Sequence, residues 1–159
     1  MDTGDQLLIL ARLLLAALLG AFIGIERELR GYPAGVRTVA LVTAGSALFT
    51  EVSRIMGGSE DRIAAGIVSG IGFLGAGLIF REGYTVRGIT TAATVWSAAA
   101  IGMAVGRELY LVAGLGSLIV FVLLEARPVV RRLEALIRLL GKELVLREED
   151  HEDEEKRGG

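Results

Sequence analysis

No cysteine occurs among the 159 residues, which excludes a disulfide, a thiolate metal centre and a thiol nucleophile and leaves the redox compartment unmarked. Histidine occurs once, as His151 inside the acidic end REEDHEDEEKRGG, where a single imidazole makes no metal site. There is no phosphate loop, no Ser–His arrangement and no pair of catalytic carboxylates. The sequence therefore predicts no enzyme, no catalytic residue, no metal and no cofactor. Basic residues are missing before Arg12, so the opening MDTGDQ lacks the positive region of a secretory signal, and the first apolar run is expected to stay in place. Above all, charge is missing from long stretches. With 52% apolar residues and a mean hydropathy of +0.55, these stretches point to a bilayer as solvent. A net charge of -2 says little about partners, and no nucleic acid is expected.

Two of the uncharged runs, Ile63–Phe80 and Ile89–Gly106, have 18 residues each. As helices they cover about 27 Å, close to the hydrocarbon thickness. The insert Arg81–Gly88 between them is too short for a domain, and the pair reads as two membrane helices joined by a charged turn. Leu7–Ile25 is the first span, interrupted by Arg12, which either snorkels near the helix end, as such residues generally do, or faces inward as a partner for Glu51. After it, ERELRGYPAGVR stops a helix at Gly31 and Pro33. The second span has only 13 uncharged residues, Thr38–Thr50. Either the bilayer thins there, or the helix runs on to Met56 with Glu51 and Arg54 turned inward. The general cost of intramembrane charge favours an interfacial Glu51–Arg54 pair. Leu109–Leu124 is the fifth span.

The third span is dense in small residues. Gly66 and Gly70 form a G-x-x-x-G, and Gly72, Gly75 and Gly77 follow. Small residues four apart let helix backbones approach in lipid, and packing within the monomer is the favoured expectation, ahead of a homodimer seam and of an unwound glycine-rich helix. The fourth span carries Thr90, Thr94 and Ser97 as one polar stripe, expected to bond local carbonyls or a neighbouring helix, with a solute path that would include Glu51 as the alternative. Beyond Pro128, Val129, Leu133, Leu136, Ile137, Leu140 and Leu144 make an apolar stripe beside basic residues.

Lys and Arg number three in 26–37, two in 81–88 and five in 127–142, against two in 51–62 and Arg107 alone. The fold expected is an all-α integral membrane bundle of five transmembrane helices, with the N-terminus outside and the C-terminus cytoplasmic. It divides into a membrane domain over 1–125, a cytoplasmic basic amphipathic helix over 126–146 and a disordered acidic tail over 147–159. This topology gathers Glu26, Arg27, Glu28, Arg30 and Arg37 on one face with Arg81, Glu82 and Arg87. The rim has two more arginines than glutamates, five against three. That excess suits salt bridges between the turns, lipid phosphate or an acidic partner better than a magnesium ion.

The strings GAFIGIERELRGYPAGVRTVALVTAGSALFT and RIAAGIVSGIGFLGAGLIFREGYTVRGITTAATVWSAAAIGMAVG closely resemble the MgtC/SapB family of bacterial membrane proteins over roughly residues 8–125. The resemblance implies a multi-pass protein of the bacterial inner membrane linked to magnesium homeostasis or stress adaptation and, in pathogens, to survival inside host cells. It implies a regulator of other membrane machinery, the ATP synthase included, acting through contacts with itself or a larger membrane complex; the alternative is a transporter or channel for magnesium or another small solute. By motif, the family's functional residues fall on Glu26, Arg27, Glu28, Gly35, Arg37, Thr38, Arg81, Glu82, Gly83, Arg87, Gly88 and Thr91. Thr90 stands where the longer members carry Asn, and no sizeable C-terminal domain follows the spans. Both features resemble the short, SapB-like form.

Overall fold

The computed structural model describes residues 2–126. The amphipathic helix and acidic tail expected beyond the spans lie outside the described residues. One compact unit runs to Val122; of the unit that begins at Leu123, the end of the last helix and Ala126 are described.

Among the described residues five helices follow in order: α1 (Thr3–Leu29), α2 (Val36–Ile55), α3 (Glu60–Leu78), α4 (Ile89–Gly106) and α5 (Tyr110–Glu125). α1 opens with a reciprocal cap, in which Asp2 Oδ1 accepts from the Asp5 amide at 2.8 Å and Asp5 Oδ2 from the Asp2 amide at 3.0 Å. It stops where glycine relieves the backbone, Gly31 having φ +70°. α2 takes the longer of its two expected courses, running to Ile55 and closing on Met56. α4 has the bounds of the uncharged run.

α3 ends before Phe80, and the expected charged turn is built as a short β-ribbon. This corrects the all-α expectation locally. Phe80–Glu82 (β1) and Thr85–Arg87 (β2) pair antiparallel, in the register Phe80↔Arg87, Arg81↔Val86 and Glu82↔Thr85. β-branched Thr85 and Val86 favour extended backbone, and Gly83, at φ +61°, takes the first place of a two-residue turn.

α2 lies at the centre. On one side Gly20 and Gly24 of α1 meet it: a methyl at Gly20 would strike the Thr43 hydroxyl, and one at Gly24 would fall 2.6 Å from the Val36 Cα. On the other side Gly102 and Gly106 of α4 do the same against the Thr43 carbonyl and, at 2.8 Å, the Thr50 Cβ. Both pairs have the four-residue spacing that brings helix backbones together. α3 joins through Ile67 and Ile71, which pack with Val95 and Ala99 of α4 and with Ala34. The Phe22 and Phe121 rings stack with centroids 4.5 Å apart, linking α1 to α5.

Outward faces are apolar: Leu10, Leu14 and Leu18 of α1, Phe73 of α3 and Leu111 and Val112 of α5 are all exposed. Among the described residues, three helices, Thr3–Leu29, Asp61–Leu78 and Ile89–Gly106, are long and apolar enough to cross a membrane. α5 is apolar but shorter.

Candidate functional site

Charged residues collect at the two ends of the bundle. The first end is built from the last turn of α1, the start of α2, the ribbon and the start of α4. Arg27 is buried there, with its Nη2 donating to the Thr91 Oγ1 at 2.9 Å and its guanidinium 3.6 Å from the centre of the Tyr32 ring. The Tyr32 amide donates back to the Arg27 carbonyl at 3.0 Å, so the loop after α1 folds over the same side chain. Buried Glu26 sits 3.8 Å from Arg27 Nη1 and 3.0 Å from Arg30 Nε. A guanidinium with a hydroxyl, a ring face and a carboxylate around it offsets its desolvation, which an unpartnered buried charge cannot do.

Glu28 does a different task. Its Oε2 accepts from the Val36 amide at 2.7 Å and thereby caps α2, whose own cap residue, Gly35, has no side chain to offer. A methyl group on Gly35 would collide with that carboxylate. Arg37 and Thr38 are exposed and line, with Glu28, Tyr32 and Pro33, an open cavity of about 300 Å³.

In the ribbon, Arg81 Nε donates to the Gly83 carbonyl at 2.9 Å, and Arg87 Nε lies 3.1 Å from Glu82 Oε2. Salt bridges are expected between the turns, and the described ones, Glu26 with Arg27 and Arg30 and Glu82 with Arg87, lie within each turn, while Arg27 to Thr91 joins the two sequence motifs. Gly88 has φ +91° and backs onto the Leu78 carbonyl so closely that any Cβ would overlap it. It joins the ribbon's exit to the end of α3.

At the opposite end, Glu51 is fully buried and accepts from Arg12 Nη1 at 2.7 Å and from Arg54 Nη2 at 2.7 Å. Arg12 also donates through Nε to the Tyr110 hydroxyl at 2.9 Å and lies 2.8 Å from Glu108 Oε1. This corrects the favoured expectation of a snorkelling Arg12 in favour of the inward-facing partner of Glu51, and it keeps the expected Glu51–Arg54 pair. The two charges lie inside because each provides what the other lacks, and a third helix completes the set. The signal was present, Arg12 being the one charge interrupting an otherwise apolar run. Glu108 and Tyr110, which complete the network, were missed, because a turn of charged residues at a helix end gives no hint of its target. Glu108 holds φ +64°, an unusual place for a residue with a side chain.

Of the residues named for a polar path, Thr90 is exposed, Thr94 is buried with its Oγ1 donating to the Thr90 carbonyl at 2.8 Å, and Ser97 is half-buried. Glu51 stands at the other end of the bundle from Thr90. At Gly66, Gly70, Gly72 and Gly77 an added methyl would meet nothing within 4 Å, while at Gly75 it would meet the Ala92 Cβ at 3.6 Å. Gly66 and Gly70 border an apolar groove of about 590 Å³ between α3 and α2, opposite Gly45 and Phe49. Among the described residues, no group of three or more His, Asp and Glu is placed to hold a metal ion.

A helical bundle with apolar outward faces and its described charges gathered at the two ends is a membrane protein. The chain belongs to the MgtC family, whose model matches residues 13–133. It is 49% identical over 122 residues to Protein MgtC of Brucella abortus, an alignment covering 75% of this chain and 51% of that protein. Against Protein MgtC of Salmonella typhimurium it is 58% identical over 95 residues, 59% of this chain and 41% of the other. The uncharacterized protein slr0014 of Synechocystis sp. is 50% identical over 115 residues, 71% of this chain and 49% of its own length. The chain thus spans about half the length of the curated relatives it matches. No solved structure gives a significant match.

Proposed function

We propose that this chain is a non-enzymatic, multi-pass protein of the bacterial inner membrane that acts through helix–helix contact with a second copy of itself or with a larger membrane complex. Its five helices cross the bilayer with the ribbon and the Arg27 end in the cytoplasm, the orientation that the arginine count favours. The observation that carries the reading is the open face of α3, where Gly66 and Gly70 border an apolar groove without packing against anything. Lipid gains nothing from glycine, whereas a second helix gains close backbone approach. The process served is the magnesium homeostasis or stress adaptation that the MgtC/SapB resemblance implies.

Pull-down from native membranes under several growth conditions tests this reading. Recovery with a membrane partner or as a dimer supports it, and recovery only as an isolated monomer under every condition overturns it. Because the chain has no cysteine, Gly66→Cys gives a clean disulfide cross-link wherever two α3 helices meet. Solute transport is the weaker reading, since Glu51 is committed to Arg12 and Arg54 and the Thr94 hydroxyl to its own helix. Magnesium flux into vesicles containing the purified protein, above that of empty vesicles, would reverse this ranking.

A further inference from the structure

The β1–β2 ribbon is exposed along its whole length, all six ladder residues included, and Tyr84 at its turn is 100% exposed. A two-stranded hairpin without a packed face is marginal in water. This one is attached to α3 through Ile79 and to α4 through Gly88, one residue on each side. Both neighbours are helices long and apolar enough to cross a membrane, so the base of the ribbon is held at the edge of the hydrocarbon layer. Three residues of strand reach about 10 Å, and the headgroup layer on each side of a bilayer is about 5–8 Å thick. The ribbon therefore has the dimensions of the layer into which it emerges.

Its composition fits the same layer. The register puts Phe80 beside Arg87 on one face and Arg81 beside Val86 on the other, so each face pairs an apolar side chain with a guanidinium. Phe80, Val86 and Tyr84 offer the apolar and amphipathic surface favoured at the interface. Arg81 uses Nε to hold the Gly83 carbonyl, which fixes the turn and leaves the Nη groups for a phosphate. Arg87 is partly neutralised by Glu82 at 3.1 Å, giving the ribbon an excess of one positive charge.

We propose that the ribbon is an interfacial anchor that docks on the headgroups of anionic phospholipids, with Arg81 and Arg87 on phosphate and Tyr84 and Phe80 between the lipids. The proposal rests on α3 and α4 being membrane spans. It is independent of which partner the protein regulates.

The chain has one tryptophan, Trp96. Trp96→Phe with Tyr84→Trp therefore places a single reporter at the turn. The full chain is reconstituted in vesicles of phosphatidylcholine alone or of equimolar phosphatidylcholine and phosphatidylglycerol, and quenching by acrylamide, a neutral probe, is measured. Both leaflets have the same lipid, so orientation does not affect the result. The expected outcome is a fall in the quenching constant of about threefold or more in the anionic vesicles, reversed by raising salt, as two arginines at a charged surface require. Arg81→Gln with Arg87→Gln in the same reporter chain should remove the difference while the helical signal stays unchanged. Equal quenching in the two vesicle types overturns the proposal. So does protection that appears only when other membrane proteins are added, which would assign the ribbon to a protein partner.

Discussion

Arg12 and Glu51, 39 residues apart in the chain, meet inside the bundle as an ion pair of 2.7 Å, with Arg54 and Glu108 closing the set. Two charges of each sign balance within the cluster, and every charge has a partner. An arginine in the first apolar run thus joins the end of α2 to the turn between α4 and α5.

Removing Arg12 or Glu51 takes from the other one of its two charged partners, a loss that costs up to about 3–5 kcal/mol, the range for a buried pair broken outright. Glu51→Ala and Arg12→Ala should therefore each markedly lower the unfolding temperature in detergent. Arg12→Met combined with Glu51→Met should be more stable than either single alanine variant, because Arg54 and Glu108 can still pair. If the double variant is the least stable of the three, the cluster does not act as a balanced unit.

Arg27 and Thr91 join the two sequence motifs of the first end. A hydrogen bond to a charged group contributes about 1.5–3 kcal/mol, so Thr91→Val should lose stability in that range in the parent chain and almost none when Arg27 is already alanine. The double-mutant cycle is the measurement. Arg37→Ala and Glu82→Ala should instead give additive effects, since Glu82 pairs with Arg87.

Glu28 and Gly35 depend on each other. Glu28→Ala removes the cap of α2 and should cost about 1 kcal/mol. Gly35→Ala drives a methyl into the Glu28 carboxylate, and its cost should shrink when Glu28 is already alanine. Thermal unfolding of the four chains decides it.

The glycines of α1 and α4 should separate cleanly from those of α3. Gly102→Ala meets the Thr43 carbonyl and should destabilise by about 1–3 kcal/mol or more, the usual range for overpacking. Gly66→Leu enters open space and should leave monomer stability almost unchanged. On the proposed function it should lower self-association or partner recovery, read by cross-linking or pull-down.

Much of the fold was legible in the sequence, because charge and glycine bracket the apolar runs. Gly88 and Arg107 fix α4, and Gly31 fixes the end of α1. The strands of the ribbon were not legible, since three residues are too short for alternation to register, and the insert read only as a charged turn. Spacing alone also failed to rank the glycine pairs. Gly20 with Gly24, Gly66 with Gly70 and Gly102 with Gly106 share one pattern, yet the first and last pairs touch α2 and the middle pair does not. Which helix lies opposite is set by tertiary packing, and the four-residue pattern reports only that a backbone is accessible. The partnership of Arg12 with Glu51 stood as an alternative in the sequence. The hydroxyl and second carboxylate that complete it come from a turn whose direction no local signal sets.

The charge clusters bolt α1 and α2 to the start of α4 at one end and to the turn between α4 and α5 at the other, whereas α3 meets this frame through Ile67 and Ile71 against Val95 and Ala99. In a bilayer such apolar contacts are exchanged for lipid at little loss, since the surroundings are as oily as the contact itself. The frame is therefore the fixed part of the molecule and α3 the cheap one to displace. On the proposed function, a neighbour seated on the glycine face of α3 would draw it aside without breaking an ion pair of the frame, and the ribbon, tied to α3 through Ile79 and to α4 through Gly88, would flex between the two.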